Sequence, residues 1–446
     1  MPTLIGGPED GIPVFGKHDE GTLEQMADVG SRAVRSALMA DGHKGYVMPI
    51  GGVAAYDNKV SVVGVGFDIA CGNCAILTDL TIEQLSGGRI ETAQEAQAHP
   101  HKVMDNPHIN ELATDIANII SFGIGRKNLA DDAPVDDPLF HDEALSLIPN
   151  KGGYRDALIE KAREQLGTVG GGNHYVDVFY DDKGRIWVGV HFGSRGFGHT
   201  IASNFIALSQ GLDWGERGKE QEILLDLRSI LGWDYWALME VAGRYAYAGR
   251  EWVARKVVEL MGGKEVDMVH NHHNFAWKET HEVDNELREL VVVRKGATPA
   301  FPGQRGFVGG SMGDDSVILM GTDPKAELEI TYTTLPAYMM HEEQKAALYS
   351  TVHGAGRVMS RTEAKGKWTK KGVMKKRGKV SHYMVQDWLK RKGVVLKGGD
   401  LDESPHAYKR LNEVLTEQGD TITVLETLHP MVVCMAPRRT RGSYKD

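Results

Sequence analysis

The chain has 446 residues, 41% of them hydrophobic and 25% charged, which is ordinary for a soluble globular protein with a large buried core. Its formal net charge of −10 excludes a protein that attracts nucleic acid through overall positive charge, so a polyanion would have to be held by a local basic patch. Its three cysteines, Cys71, Cys74 and Cys434, are too few for a disulfide scaffold and favour a reducing compartment.

The first residues, MPTLIGGPEDGIPVF, lack the basic flank and apolar run of a signal peptide. No apolar stretch approaches the roughly 18–20 residues that are needed to span a bilayer. We therefore expect a cytoplasmic protein with no membrane association.

Further along the chain, predicted strands are followed by glycine clusters. Helical spacing of apolar residues predicts helices at Ser31–Met39 and over Gln221–Met261, which Gly232 would divide. Short apolar runs predict buried strands at Val60–Phe67, Arg185–Val190, Val266–Val269 and Leu290–Val293. Strands that end in glycine-rich loops can bring distant segments to one rim of a scaffold. Because no repeat and no Pro/Ser-rich linker divides the chain, we predict one large mixed α and β domain, of the α+β class, over residues 1–446.

One segment differs in composition from the rest. Lys365–Lys379 contains many Lys and Arg residues and no acidic residue. Such a basic excursion is either a solvated loop or a contact for an RNA backbone, and the sequence leaves both interpretations open.

Histidines next to glycine-rich segments suggest a metal site. They are His174, His191, His273 and His353. One such histidine is more often structural than a ligand, but Asp68 and Cys71 lie three residues apart in a further segment of this kind, GVGFDIACGNC. Thiolate, imidazole and carboxylate together suit Zn, Mn, Fe or Co, and the spacing does not choose among these metals.

Cys71 and Cys74 also form a CxxC motif. Alone, this motif is typical of a redox pair or of half a zinc knuckle. A knuckle needs a second pair of ligands, and the HNHH string at His270–His273 is not a standard partner.

Several glycine-rich strings could bind phosphate. HGAGR, at His353–Arg357, combines small residues that allow close backbone approach with an arginine that matches phosphate geometry. GGSMGDDS, at Gly309–Ser316, could offer backbone N–H groups, and RKGAT, at Arg294–Thr298, adds two cations. None of these strings is a Walker A loop.

Together these strings resemble the RtcB RNA ligase family. The blocks that carry the resemblance occur in the family's order between Asp41 and Lys409: DGHKGYVMPIGG, VGVGFDIACG, GTVGGGNHYVDV, VHFGSRGFGH, HHNFA, VVRKGATPAFP, GGSMG, HGAGRVMSR and AYK. The combination of HGAGR with GGGNH and HxGSRG is highly specific for this family.

The resemblance implies an RtcB-like fold whose glycine-rich loops surround a dinuclear metal site. It also implies a GTP- and manganese-dependent ligase that joins RNA 3′-phosphate or 2′,3′-cyclic phosphate ends to 5′-hydroxyl ends. In such an enzyme His353 would attack the α-phosphate of GTP and carry a covalent guanylate, with Arg195 beside it in the catalytic group. Broken or spliced tRNA ends are the implied RNA partners, and an archease-like activator is a candidate protein partner.

The resemblance also assigns ligands by position. Two Mn²⁺ ions would be held by Asp68, Cys71, His174, His191 and His273. The guanylate pocket would contain Asn173, Asp177, Ser311, Ser316, Ala355, Gly356 and Tyr408. Phosphate or RNA would be bound by Lys295, Arg357 and Arg361.

The sequence departs from the family pattern at four places. Cys74 replaces the usual arginine after the metal-binding cysteine, and Asp177 replaces the glutamate of GGGNHxxE. An insertion falls at roughly Thr322–Glu343, and Met435 stands where the family has a lysine near its carboxyl end. Three alternatives therefore stay open: a paralogue that guanylylates another RNA end, a metal-dependent phosphoesterase and a non-catalytic RNA-binding protein.

Overall fold

The computed structural model describes residues 2–6, 11–323, 337–368 and 374–437, and in these ranges the chain has a mixed α/β fold. Its α-helices are α1 (Glu20–Gly30), α2 (Val62–Val65), α3 (Ile82–Leu85), α4 (Ala93–Ala98), α5 (Pro100–Met104), α6 (Pro107–Ile119), α7 (Tyr154–Gln165), α8 (Arg195–Leu208), α9 (Ile230–Leu260), α10 (Ala337–Ala346), α11 (Arg361–Lys365), α12 (His382–Lys392) and α13 (Leu411–Gln418). Short 3-10 helices occur at Pro138–His141, Glu143–Leu147, Lys151–Gly153, Leu401–Glu403, Pro405–Ala407 and Gly419–Thr421.

The strands form two main sheets and several short pairs. They are β1 (Thr3–Ile5), β2 (Ile12–Val14), β3 (Arg35–His43), β4 (Ile50–Tyr56), β5 (Lys59–Ser61), β6 (Gly72–Thr81), β7 (Tyr175–Asp181), β8 (Arg185–Phe192), β9 (Leu224–Asp226), β10 (Glu265–His272), β11 (Asn274–Val283), β12 (Glu286–Lys295), β13 (Ala297–Pro299), β14 (Arg305–Val308), β15 (Ser316–Gly321), β16 (Ser350–Val352), β17 (Gly366–Trp368), β18 (Met374–Arg377), β19 (Val395–Gly399) and β20 (Ile422–Pro437). The first sheet has the order β1-β2-β3-β4-β12-β11. The second has the order β10-β6-β8-β7-β20-β15-β14, with β19 beside β20. The short pairs are β13-β16, β17-β18 and β5-β9.

The central strands of both main sheets are buried on both faces. On β4, Ala54 and Tyr56 pack into one hydrophobic cluster, while Val53 and Ala55 pack into another. This alternation follows from the two-residue period of a strand. Helix α9 connects the sheets, because its first half contributes to the cluster against the first sheet and its second half packs under β6, β7 and β8.

Three of the predicted strands are confirmed, as β8, β10 and β12. The helix predicted at Ser31–Met39 is wrong, because α1 ends at Gly30 and β3 begins at Arg35. Residues 37–40 are completely buried, and a strand covered on both faces lacks the polar alternation that would have identified it.

Two further boundaries differ from the predictions. The strand predicted at Val60–Phe67 is only β5, after which Ser61 caps α2 by accepting a hydrogen bond from the backbone N–H of Gly64. Gly232 does not divide the long helical segment, because it lies in the first turn of α9, where Ser229 caps the helix. A side chain at Gly232 would meet the backbone oxygen of Asp226 at 2.1 Å, so close packing accounts for this glycine.

The two segments that stood out in sequence are only partly described. Of the insertion expected at Thr322–Glu343, residues 324–336 lie outside the described ranges, and its end belongs to α10. Gln344 on α10 donates to the backbone oxygens of Thr322 (2.7 Å) and Thr421 (3.1 Å). The basic excursion forms the end of α11 and the exposed pair β17-β18, with residues 369–373 outside the described ranges.

The arrangement of the second sheet positions the functional residues. Strands β10, β6, β8 and β7 are neighbours, and their register aligns His272 with Gly72, and Asn73 with His191. His191 is in turn aligned with Tyr175. Residues at these strand ends therefore meet at one edge of the sheet. Within the described ranges, no helix is long and apolar enough to cross a membrane.

Candidate active site

The predicted metal ligands lie together in two groups that share one cysteine. Asp68, Cys71 and His174 form one group, and Cys71, His191 and His273 form the other, with the ligand atoms of each group within 4.8 Å of one another. Sγ of Cys71 lies 3.6 Å from Nε2 of His174 and 3.7 Å from Nε2 of His191. The structure thus places all the predicted ligands in one cluster. The sulfur atom of Cys71 lies between two adjacent candidate metal positions.

A tight turn after α2 places Asp68 and Cys71 side by side. The backbone N–H of Cys71 donates to the carbonyl oxygen of Asp68 (3.0 Å), and Ala70 between them has a left-handed φ of 59°. The carboxylate of Asp68 packs against Gly193, where a Cβ atom would lie 2.3 Å from Oδ1. Only glycine at position 193 leaves room for this carboxylate.

The ring of His191 is fixed by a residue that the sequence analysis did not single out. Nδ1 of His191 lies 2.6 Å from Oδ1 of Asn73, whose Nδ2 donates to the carbonyl oxygen of Phe307 (2.9 Å). Since the Asn73 oxygen can only accept, Nδ1 carries the proton and Nε2 presents its lone pair toward Cys71. Asn73 could have been identified from its position, because it lies two residues after Cys71 and so on the same side of an extended chain.

The pKa values in this cluster suit a divalent cation. Burial lowers the pKa values of His191 and His273 well below their ordinary value, so both imidazoles are neutral and can act as ligands. Burial and the nearby Asp68 carboxylate raise the pKa of the Cys71 thiol well above its ordinary value. A bound cation would stabilise the thiolate that burial disfavours, so the donor set fits a metal of the Mn or Zn type.

His353 lies beside this cluster and is held by a buried carboxylate. Its Nδ1 lies 2.5 Å from Oδ2 of Asp41, which also accepts the backbone N–H groups of His353 (3.0 Å) and Gly354 (3.3 Å). Burial alone would raise the pKa of Asp41, but the charge and hydrogen bonds of His353 outweigh it and lower that pKa below its ordinary value. The ring of His353 lies 4.8 Å from that of His273, centroid to centroid.

A cleft of about 840 Å³ joins the metal ligands to His353. This volume is in the range of small-molecule sites. Most of the other predicted site residues also line it: Asn173, Asp177, Arg195, Lys295, Ser311, Ala355, Gly356, Arg357, Arg361 and Tyr408. Ser316 has a different place, because it is buried and its Oγ accepts the backbone N–H of Gly310, which supports the loop that carries Ser311.

One end of the cleft combines apolar side chains with buried polar atoms. Tyr175 pairs with Met435, and Asp177 with Val433, in the β7-β20 register, so these four side chains share one face of the sheet. The Tyr175 hydroxyl and Oδ1 of Asp177 are buried and have no hydrogen-bond partner among the described residues, and the same holds for the Ser311 hydroxyl. Because these atoms lie at the cleft, they are available to form hydrogen bonds with a ligand. Burial also raises the pKa of Asp177 well above its ordinary value.

Arg195, predicted as catalytic, and Lys295, predicted to bind phosphate, are both held by hydrogen bonds within the protein. Arg195 donates to Oγ1 of Thr168 (3.1 Å) and to the carbonyl oxygen of Gly123 (3.0 Å). Nζ of Lys295 donates to the carbonyl oxygen of Val63 (2.9 Å), and burial lowers its pKa to about 8.

The two arginines after His353 form part of a buried ionic network. Arg357 donates to the Tyr408 hydroxyl (2.7 Å) and to the carbonyl oxygen of Asp402 (2.8 Å), and Arg361 pairs with Asp402 and Glu403. These two acids were missed in sequence, where they appear as ordinary charged residues of a polar segment. Arg357 and Arg361 would therefore meet a phosphate as members of a partly neutralised network.

The two cysteines of the CxxC motif lie in different surroundings. Cys74 is completely buried in the hydrophobic cluster that contains Val190 and Val253, and all three cysteines are free thiols. Cys71 lines the cleft instead.

The chain is similar in sequence to known proteins. A family model described as "tRNA-splicing ligase RtcB" matches residues 22–436. The chain is 30% identical to "tRNA-splicing ligase RtcB" of Archaeoglobus fulgidus, over 89% of this chain and 87% of the relative. It is 31% identical to "RNA-splicing ligase RtcB homolog 1" of Entamoeba dispar, over 90% of this chain and 78% of the relative. A relative of the first name in Thermococcus kodakarensis is 29% identical over 92% of this chain and 90% of its own length.

Proposed function

Because the chain belongs to the RtcB family of tRNA-splicing ligases, we propose that it is an RNA ligase that uses GTP and two manganese ions. It joins RNA ends that carry a 3′-phosphate or a 2′,3′-cyclic phosphate to ends that carry a 5′-hydroxyl. The observation that carries this proposal is the position of His353, which is held by Asp41 beside a cluster of metal-binding residues.

In the first step, Nε2 of His353 attacks the α-phosphorus of GTP. The Nε2–P bond forms, the bond from that phosphorus to the bridging oxygen breaks, and pyrophosphate leaves. Asp41 keeps the proton of the neutral ring on Nδ1, so the lone pair is on Nε2, and its negative charge stabilises the positive charge that develops on the ring.

In the later steps the guanylate moves to RNA. An oxygen of the RNA 3′-phosphate attacks the phosphorus of the histidine-bound guanylate, the N–P bond breaks, and the RNA end is activated. The 5′-hydroxyl of the second RNA then attacks the 3′-phosphorus, loses its proton and displaces GMP, which leaves a phosphodiester. A 2′,3′-cyclic phosphate is first opened by water to the 3′-phosphate.

The metal ligands would be Asp68 and His174 at one position and His191 and His273 at the other, with Cys71 shared. Bound Mn²⁺ supplies positive charge that neutralises the phosphates during in-line displacement. Arg195 and Lys295 add fixed positive charge in the same cleft.

The nucleotide would occupy the rest of the cleft. Its base would contact the end of the cleft lined by Tyr175, Asp177 and Met435, where buried polar atoms have no hydrogen-bond partner among the described residues. Its phosphate and sugar would lie along the remaining members of the predicted pocket, which are Asn173, Ser311, Ala355, Gly356 and Tyr408. We expect broken or spliced tRNA as the RNA partner, an archease-like protein as the activator and the cytoplasm as the location.

The experiment is covalent labelling with α-labelled GTP and Mn²⁺, followed by ligation of RNAs with defined ends. We expect an acid-labile, base-stable adduct, as for a phosphoramidate, that is absent in His353→Ala and retained in the exposed-surface control His101→Ala. Full labelling of His353→Ala would overturn the assignment of the nucleophile. Labelling without ligation of any 3′-phosphate and 5′-hydroxyl pair would indicate a paralogue that modifies another RNA end, and no labelling would favour a phosphoesterase or an RNA-binding protein.

A further inference from the structure

Arg250 on α9 is completely buried and contacts the chain next to two metal ligands. Its Nη1 donates to the carbonyl oxygens of Ala70 (2.8 Å) and Phe192 (2.6 Å). Ala70 directly precedes Cys71, and Phe192 directly follows His191. One guanidinium nitrogen therefore joins the turn that carries the cysteine to the strand that carries the histidine.

The other nitrogens of Arg250 contact the strand that leads to a third ligand. Nε donates to Nε2 of His270 (2.8 Å), and Nη2 donates to Nδ1 of His272 (2.8 Å), one residue before His273. Because a guanidinium has donors and no acceptor, both of these histidine nitrogens are unprotonated. His270 and His272, which stood out in the HNHH string without a function, are thus the acceptors that orient Arg250.

We propose that Arg250 is a positioning residue that sets the geometry of the metal position formed by Cys71, His191 and His273. This inference rests on the proposed two-metal function. The planar guanidinium fixes the relative positions of three backbone segments that are distant in sequence, and each segment carries one ligand of this position. It also holds the carbonyl of Ala70, whose left-handed φ of 59° is unfavourable for a residue with a Cβ and needs support from its surroundings.

The chain offers a matched control, because Arg294 is equally buried. Arg294 donates to Glu279 (2.6 Å), to Oγ of Ser350 (2.8 Å) and to the carbonyl oxygen of Leu348 (3.0 Å). None of these partners is a metal ligand or the neighbour of one. Replacing Arg294 therefore disturbs a buried ionic contact of similar kind without touching the three ligand segments.

The test is Mn²⁺ binding, measured from the electron paramagnetic resonance signal of free Mn²⁺ and by calorimetry, with folding followed by thermal melting. We expect the wild type to bind two ions. Arg250→Lys, which keeps the charge and loses the fork, should bind one ion normally and the second about 10- to 100-fold more weakly, as is typical when a group that orients a metal ligand is removed. Arg294→Lys should melt at a lower temperature and still bind both ions with wild-type affinity.

A second pair of variants decides the matter if Arg250→Lys does not fold. His270→Leu removes one acceptor and should lower the affinity for the same Mn²⁺ ion. His270→Gln keeps an acceptor and should bind this ion as the wild type does. A folded Arg250→Lys that binds both ions as the wild type does would overturn the inference, as would equal binding by the two His270 variants. A wild type that binds fewer than two ions would instead overturn the two-metal function, and this inference with it.

Discussion

The carboxylate of Asp41 lies 2.5 Å from Nδ1 of His353, although the two residues are 312 positions apart in the chain. Asp41 is completely buried, and its Oδ2 also accepts two backbone N–H groups of the HGAGR segment. The carboxylate thus fixes both the ring and the backbone that carries it. A neutral imidazole in this position has its proton on Nδ1 and its lone pair on Nε2.

Asp41→Asn should lower the rate of guanylylation while leaving the fold intact. The amide oxygen of asparagine can accept the same hydrogen bonds from Nδ1 and from the two backbone N–H groups, but the amide lacks the negative charge that stabilises the positive charge developing on the ring. The loss should be about 10²- to 10⁴-fold, as for other histidines that lose an orienting carboxylate. The measurement is the initial rate of labelling from α-labelled GTP. The control is Asp182→Asn, which removes an exposed carboxylate partner of His429. A labelling rate of Asp41→Asn within twofold of the wild type would show that His353 does not need the Asp41 carboxylate.

Cys71 and Cys74 should respond differently to substitution. Cys71→Ala removes the shared ligand of both metal groups and should abolish Mn²⁺ binding and guanylylation. Cys74→Ala only shortens a side chain in a hydrophobic cluster, so most of the labelling should remain. Labelling by each variant, with and without reductant, is the measurement. Equal loss in both variants together with a response to reductant would restore the interpretation as a redox pair.

Zinc should inhibit this reaction rather than support it. A set of thiolate and imidazole ligands binds Zn²⁺ more tightly than Mn²⁺ by the usual order of divalent affinities. Adding Zn²⁺ at a fixed Mn²⁺ concentration should therefore lower labelling, and a chelator followed by Mn²⁺ should restore it. Stimulation by Zn²⁺ alone would argue against a site that works with manganese.

The sequence analysis singled out the residues of the cluster in the cleft, but it did not single out the residues that orient them. Cys71, His174 and His353 each lie in a short glycine-rich string, where a potential metal ligand or nucleophile stands out among small residues. Asn73 and Asp41 also lie in glycine-rich strings, but the role of each depends on a partner 118 or 312 positions away. Contacts of this range depend on the tertiary fold, and spacing along a single chain does not contain them.

The fold was predicted where burial leaves a clear pattern. Strands β8 and β12 are apolar runs bounded by polar turns, and both were identified. Strand β3 was misassigned as a helix because Leu38 faces one hydrophobic cluster while Ala37 and Met39 face another. A strand that is apolar on both sides has no period of two, so its apolar residues fit a helical spacing as well.

Lys295 should make stability depend on pH in the alkaline range. Burial lowers its pKa in the folded chain to about 8 from an ordinary value of 10.5. Between these values the unfolded chain binds the proton and the folded chain does not, so the free energy of unfolding rises with pH, by about 3 kcal/mol at most. Below pH 8 Lys295 is charged in both the folded and the unfolded chain, so the full cost of burying its charge lowers the free energy of unfolding.

The comparison is between urea unfolding of the wild type and of Lys295→Met at pH 7 and pH 10. The wild type should gain stability relative to the variant as the pH rises, and the variant should label poorly because it lacks the cation in the cleft. A constant difference in the free energy of unfolding across this range would mean that Lys295 keeps its ordinary pKa.

The exposed pair β17-β18 should contribute to RNA binding. Lys367, Lys375, Lys376 and Arg377 are exposed on these strands. Changing all four to Gln should lower RNA affinity and reduce the slope of log affinity against log salt by up to about 3 units, at roughly 0.7 per phosphate contact for a single strand. Guanylylation should not change. The control has the same change of charge at four other exposed positions, with Lys59, Arg217, Lys219 and Lys264 changed to Gln, and should keep the wild-type slope. An unaltered slope in both variants would favour the interpretation of the basic segment as a solvated loop.

Asp177 and Met435 lie on the same face of the β7-β20 pair, at the end of the cleft proposed for the base. A carboxylate suits the N1–H and N2–H donors of guanine, and a cation suits its O6 and N7 acceptors. This end of the cleft has the carboxyl group of Asp177, but it has the thioether of Met435 where a cation would contact O6 and N7. Burial raises the pKa of Asp177 well above its ordinary value, and a protonated carboxyl donates one hydrogen bond and accepts another. Adenine offers a matching acceptor and donor at N1 and N6.

We therefore expect a weaker preference for GTP over ATP than a carboxylate and lysine together would give. One unpaired polar group costs about 1–3 kcal/mol, so the missing partner corresponds to roughly 5- to 150-fold in discrimination. Met435→Lys should raise the GTP to ATP ratio of labelling, because a lysine would both contact the base and lower the pKa of Asp177. Met435→Leu keeps the site apolar and is the control. Arg438, a cation that could replace this lysine, lies outside the described residues, so Arg438→Ala belongs in the same series. If the wild type excludes ATP strictly and Met435→Lys changes nothing, guanine is recognised by other groups and the inference from these two positions is wrong.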